Sequence, residues 1–205
     1  MNTTTNFHTK RMVQLALFTA IIALMAFTPI GYINTMGLSI TLMGIPVVVG
    51  AILLGPVNGA ILGGVFGITS FIRCFGLEPF GVALLAINPV TTFIVCMVPR
   101  ILMGWLAGLI FKGLSKVDKS KNVAYAVTGL TGSLINTVLF MGLLILFFYN
   151  TEYIQGIAAS VGANNAFVFF IAMAGLNGTV EAIVCLIIST AITKAIYGQS
   201  KKSGL

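Results

Sequence analysis

Two charged residues stand inside apolar sequence, and no other side chains in this chain are better equipped for chemistry. Arg100 lies within the apolar stretch 89–111 and Glu181 within 167–195. A guanidinium offers its donors in a rigid fork that grips a carboxylate through two parallel hydrogen bonds. A carboxylate accepts hydrogen bonds and pairs with cations. A charge at the middle of a membrane-spanning helix costs about 2.5–3.5 kcal/mol on insertion scales, so it faces the protein interior and meets a partner there. That partner is the other charge, in an ion pair between two helices, or a polar ligand. The two arrangements are compatible, because a pair can open onto a ligand. Neutral polar residues accompany the charges: Asn88, Thr131, Ser133, Asn136 and Thr137, then Asn177 and Thr179. Asn177 is one helical turn from Glu181 on the same face. A few polar groups converging in an apolar setting describe a small-molecule site.

The elements that must position these residues follow from composition. Hydrophobic residues make up 58% of the 205 and charged residues only 7%, where a soluble domain carries about 25%. The chain therefore reads as an integral membrane protein with one domain over 1–205, and polar cytoplasmic tails at 1–11 and 198–205. Six apolar stretches are expected as membrane spans: 12–27, 40–54, 57–72, 89–111, 123–148 and 167–195; 40–54 is short and interrupted by Pro46, and short spans of this kind either tilt little or fail to cross fully. Nine of the eleven basic residues cluster at Lys10 and Arg11, at Lys112, Lys116, Lys119 and Lys121, and at Lys194, Lys201 and Lys202. Each cluster abuts the end of a span, which gives an all-α, six-helix bundle with both termini inside by the positive-inside rule. Loops 28–39, 73–88 and 149–165 then lie outside. The net charge of +7 is topological in this setting, and no nucleic-acid partner is expected.

Several chemistries have no carrier. No G-x-x-x-x-G-K-[ST] phosphate loop is present, so the chain itself cannot hydrolyse ATP. H-E-x-x-H and G-x-S-x-G are missing. Asp118, the sole aspartate, lies in a basic loop and cannot form an intramembrane aspartyl dyad. His8, the sole histidine, lies in the polar N-terminal tail. Cys74, Cys96 and Cys185 share no short spacing; Cys96 and Cys185 read as small packing residues, with no disulfide framework. No catalytic residue, metal site or cofactor is expected.

Small residues recur at four-residue spacing, which puts them on one helix face and lets backbones approach closely in lipid. Gly59, Gly63 and Gly67 form a double G-x-x-x-G, and Gly104 and Gly108 repeat it; these are expected to pack within the chain. Ala16 and Ala20 share a face of the first span.

These features, in this order, resemble the substrate-binding S components of energy-coupling factor (ECF) vitamin transporters. The matching segments cover nearly the whole length: Ala16-Leu-Phe-Thr-Ala20, Leu54-Gly-Pro-Val-Asn-Gly-Ala60, Pro99-Arg100-Ile-Leu-Met-Gly104, Leu134-Ile-Asn136-Thr137 and Asn177-Gly-Thr-Val-Glu181-Ala-Ile. The resemblance implies a six-helix bundle in the bacterial plasma membrane that binds a water-soluble vitamin from outside. It also implies docking through helix one, hence Ala16 and Ala20, onto a membrane coupling protein (the T component) driven by two cytoplasmic ATPases, which alone use ATP. The segments around Asn136 and Asn177 are most similar to the pantothenate-specific members. On that footing Arg100 is expected to hold the vitamin's carboxylate, Asn136, Asn177 and Tyr32 to meet its amide and hydroxyls, and Asn88 and Glu181 to complete the site. Pyridoxine, riboflavin and folate are the alternative substrates. A self-sufficient small channel or carrier is the alternative class.

Overall fold

The computed structural model describes residues 3–28, 31–34, 39–118 and 122–202, with side chains at 9–28, 31, 41–118, 122–175 and 178–196. Helix α1 covers Thr3–Ala26. A short antiparallel hairpin follows, β1 at Tyr32–Asn34 and β2 at Ser39–Thr41, in register Tyr32↔Thr41. Then come α2 at Gly44–Leu54, α3 at Pro56–Arg73, α4 at Pro79–Ile87, α5 at Pro89–Leu114, α6 at Asn122–Phe148, α7 at Glu152–Ser160 and α8 at Ala166–Lys202.

Among the described residues, four helices, α1, α5, α6 and α8, are long and apolar enough to cross a membrane. Of the two courses open to the short stretch 40–54, the structure shows the incomplete one. Its first residues pair in β2, and the 11-residue α2 is about 16 Å long, against roughly 30 Å of hydrocarbon. A helix apolar all round must be buried all round. Accordingly, every residue of α2 but Leu53 is buried, with α1, α3, α5, α6 and α8 packed about it. The loops expected over 73–88 and 149–165 contain the short helices α4 and α7. Pro79 opens α4, where a missing N–H does no harm. The Thr151 side chain caps α7, and Ile154 and Ala158 turn its apolar face into the core.

The glycines pack within the chain, as expected. Helices α3 and α5 run antiparallel in close contact: Gly59 lies against Gly104, Gly63 against the Arg100 backbone, Gly67 against Cys96 and Met97, and Gly108 against Pro56. This seam ties the position of Arg100 to that of α3. At one end of the bundle, Arg11 donates from Nη2 to the Leu54 carbonyl at 3.2 Å. At the other, Arg73 donates from Nη1 to the Ala26 carbonyl at 2.5 Å, tying α3 to the end of α1.

At Gly63 even a methyl group would meet the Arg100 carbonyl and the Ile101 Cα, which are backbone atoms and cannot swing aside. Gly63→Ala is therefore expected to destabilise the protein by about 1–3 kcal/mol, read as a lowered Tm in detergent.

Candidate functional site

Pro99 is the local cause of the site. Lacking an N–H, it leaves the carbonyl of the residue four positions earlier without its helical partner. That residue is Val95, and Arg100 Nη1 donates to its carbonyl at 2.6 Å. The guanidinium is thereby folded back along α5. It lies against two aromatic rings, its carbon 4.6 Å from the centroid of Phe140 and 5.4 Å from that of Phe66. Contact with aromatic rings stabilises a desolvated cation. Arg100 is only 6% exposed, and its Nε has no hydrogen-bond partner.

This guanidinium lines a cavity holding about 820 Å³ of empty space, counting its open mouth. Glu181 lines the same cavity. Its Oε1 accepts from the Thr41 hydroxyl at 3.4 Å, and it lies beside Gly44, the first residue of α2. A helix N-terminus favours an anion nearby. Among the described residues, Arg100 and Glu181 form no ion pair within 4.0 Å. Two opposite buried charges thus share one chamber without neutralising each other by contact. Asn136, on α6, is the third polar group; it is buried, it lines the cavity, and its Oδ1 has no partner. A buried acceptor without a partner costs about 1–3 kcal/mol. Phe80, Leu84, Val95, Phe140, Met141 and Met173 supply the apolar wall.

Of the residues expected in the site, the structure brings Arg100, Asn136 and Glu181 together. Asn88 is elsewhere: it is exposed, and its Oδ1 caps α5 by accepting from the backbone N–H groups of Val90 and Thr91 at 3.1 and 3.2 Å. Asparagine ahead of a proline-led helix is a preferred N-cap, which accounts for the residue type without a ligand. The side chains of Tyr32 and Asn177 lie outside the described residues. Their backbones adjoin the cavity, Tyr32 pairing with Thr41 and Asn177 preceding Gly178. Ala16 and Ala20 are exposed on α1, facing away from the bundle.

The chamber also uses residues that sequence reasoning missed: Thr41, Ser70, Cys74, Glu78 and Thr92. A signal for part of this was present. Thr92, Cys96 and Arg100 stand at four-residue intervals on α5, and Ser70 and Cys74 on α3, so each set forms a stripe on one helix face.

Residues 10–193 match the family model for the ECF transporter, substrate-specific component. The chain belongs to that family. It is 29% identical to the pantothenate transporter PanT of Leuconostoc mesenteroides, over 98% of both chains. It is also 29% identical to the pantothenic acid transporter PanT of Lactococcus lactis, over 76% of both. Family membership and the apolar helices make this a multi-pass membrane protein of a transporter family.

Replacing the helix cap by Asn88→Ala is expected to remove about 1 kcal/mol of stability. Differential scanning fluorimetry in detergent would register this as a lower Tm.

Proposed function

We propose that this chain is the pantothenate-binding S component of an ECF transporter in a bacterial cell membrane. The observation that carries the reading is Arg100: a buried guanidinium that faces a ligand-sized cavity, has an unpartnered Nε, and forms no ion pair with Glu181. An anionic ligand supplies what that group lacks, and a carboxylate matches its fork. Pantothenate carries a carboxylate at one end, hydroxyls at the other and an amide between. Its carboxylate would sit on Arg100, and the orphaned Oδ1 of Asn136 would accept from its amide N–H. Glu181 and Thr41 would meet its hydroxyls, with Asn177 and Tyr32 close by. The two similar transporters, both named for this vitamin, support the same substrate.

The wider arrangement is part of the proposal. Helices α1, α2, α3, α5, α6 and α8 are taken as the six membrane elements, with both termini cytoplasmic. In support, Arg11, the turn at 54–56 and the C-terminal end of α5, next to Lys112, gather at one end of the bundle. Thr41, Glu78 and Phe80, at the end that holds the hairpin and α4, are among the residues lining the cavity, and the ligand would enter from that end. The exposed Ala16–Ala20 face would dock on a T component served by two ATPases, which supply the energy this chain cannot.

Calorimetry on the purified protein should show pantothenate binding, with pyridoxine, riboflavin and folate giving no heat. Arg100→Ala should weaken binding by at least about 2 kcal/mol, roughly 30-fold in Kd, while leaving the protein folded. Unchanged affinity would defeat the role given to Arg100. Ala16→Trp should spare the Kd and stop nucleotide-driven uptake in proteoliposomes that also hold the T component and ATPases. Uptake by this chain alone would instead favour a self-sufficient carrier.

A further inference from the structure

Cys74 and Cys96 lie far apart in sequence, yet their sulfurs are 4.0 Å apart and both line the ligand cavity. Cys74 ends α3, where its thiol donates to the Ser70 carbonyl at 3.4 Å. Cys96 is one turn before Arg100 on the same face of α5. Cys185 is buried and is not among the cavity residues. The chamber therefore carries an adjacent dithiol in its wall, reachable by any solute small enough to enter, and a third thiol set apart from it.

The geometry points to Cys74 and Cys96 as a modification site: a dithiol that a hydroperoxide oxidises to a disulfide, disabling the cavity for its ligand. The step balances. One thiol, as thiolate, attacks a peroxide oxygen; the O–O bond breaks, water or an alcohol leaves, and a sulfenic acid remains. The second thiol attacks that sulfur, the S–S bond forms and water departs. Two thiols are oxidised by two electrons and the peroxide is reduced by two.

The effect on binding follows from what the sulfurs must do. A disulfide requires about 2.05 Å between them, so they must close about half of their 4.0 Å separation. Cys74 cannot move alone. It lies so near Gly81 of α4 that even a methyl group there would meet its Cα and Cβ, and Gly81 lines the cavity with Phe80 and Leu84. Drawing Cys74 onto α5 pulls this wall toward Thr92, Cys96 and Arg100. A shift of about 1 Å in a binding group is enough to cost on the order of tenfold or more. The consequence for binding rests on the pantothenate reading; formation of the bond does not.

The test uses full-length Cys185→Ser protein in detergent, so that only the pair remains. Hydrogen peroxide should remove two hydrogens from the intact mass, and peptide mapping should join Cys74 to Cys96. Pantothenate affinity should fall roughly tenfold or more, and dithiothreitol should restore it. Saturating pantothenate should slow the oxidation. In Cys74→Ser/Cys185→Ser the affinity before and after treatment should be equal, whatever its starting value. The inference is overturned if no Cys74–Cys96 bond forms, or if it forms and affinity holds. Should untreated protein bind no pantothenate, that failure belongs to the functional reading. The pair is then judged on the mapped bond alone, whose absence overturns it.

Discussion

A proline that withholds one hydrogen bond sets up the chemistry of this protein. Pro99 leaves the Val95 carbonyl open, and the next side chain along, Arg100, turns back to fill it. In water such a vacancy would be solvated. In a membrane-embedded helix it must be filled from within the protein. The guanidinium is thus held at one corner by a backbone carbonyl and along its faces by Phe66 and Phe140. A long flexible cation becomes a fixed group, so little of its rotamer freedom is left to lose when a ligand arrives.

The neighbouring helix makes that arrangement rigid. Gly63 lies on the backbone of Arg100 itself, and Gly59 and Gly67 make the same close approach on either side. Small residues here do more than lower the cost of helix association in lipid. They fix the height of the charged group along α5. They also bring Ser70 and Cys74 of α3 level with Thr92 and Cys96. Across the cavity, Glu181 is stationed by Thr41 and by its place beside the first residue of α2. The two groups line one cavity and do not pair. Each is instead anchored to its own wall.

Much of this was legible in the sequence. The isolated charges at Arg100 and Glu181 marked the chamber, because a membrane leaves few reasons to keep them. The glycine spacing gave close packing within the chain, though not which helices meet, and the long apolar runs gave α1, α5, α6 and α8. Other features were illegible for physical reasons. Hydropathy records composition and not surroundings, so the brevity of 40–54 allowed a short span or an incomplete crossing, and only the fold shows the 11 residues of α2 enclosed by their neighbours. Asn88 looked like a ligand group because polar residues near a span are rare, yet a helix terminus needs a cap as much as a ligand needs a donor. The short α4 and α7 were hidden in segments too brief for periodicity to register. The meeting of Cys74 with Cys96 depends on tertiary folding alone.

The burial of α2 also constrains how the protein is made. The segment leaves the ribosome early, as the second helix, yet it is too short to stand across a bilayer by itself. The partners that later surround it include α5, α6 and α8, all synthesised afterwards. While it waits, its companions are α1 and α3, joined to it through Arg11 and the turn at Gly55. The enclosure of α2 is therefore complete only when helices from both halves of the sequence are in place around it.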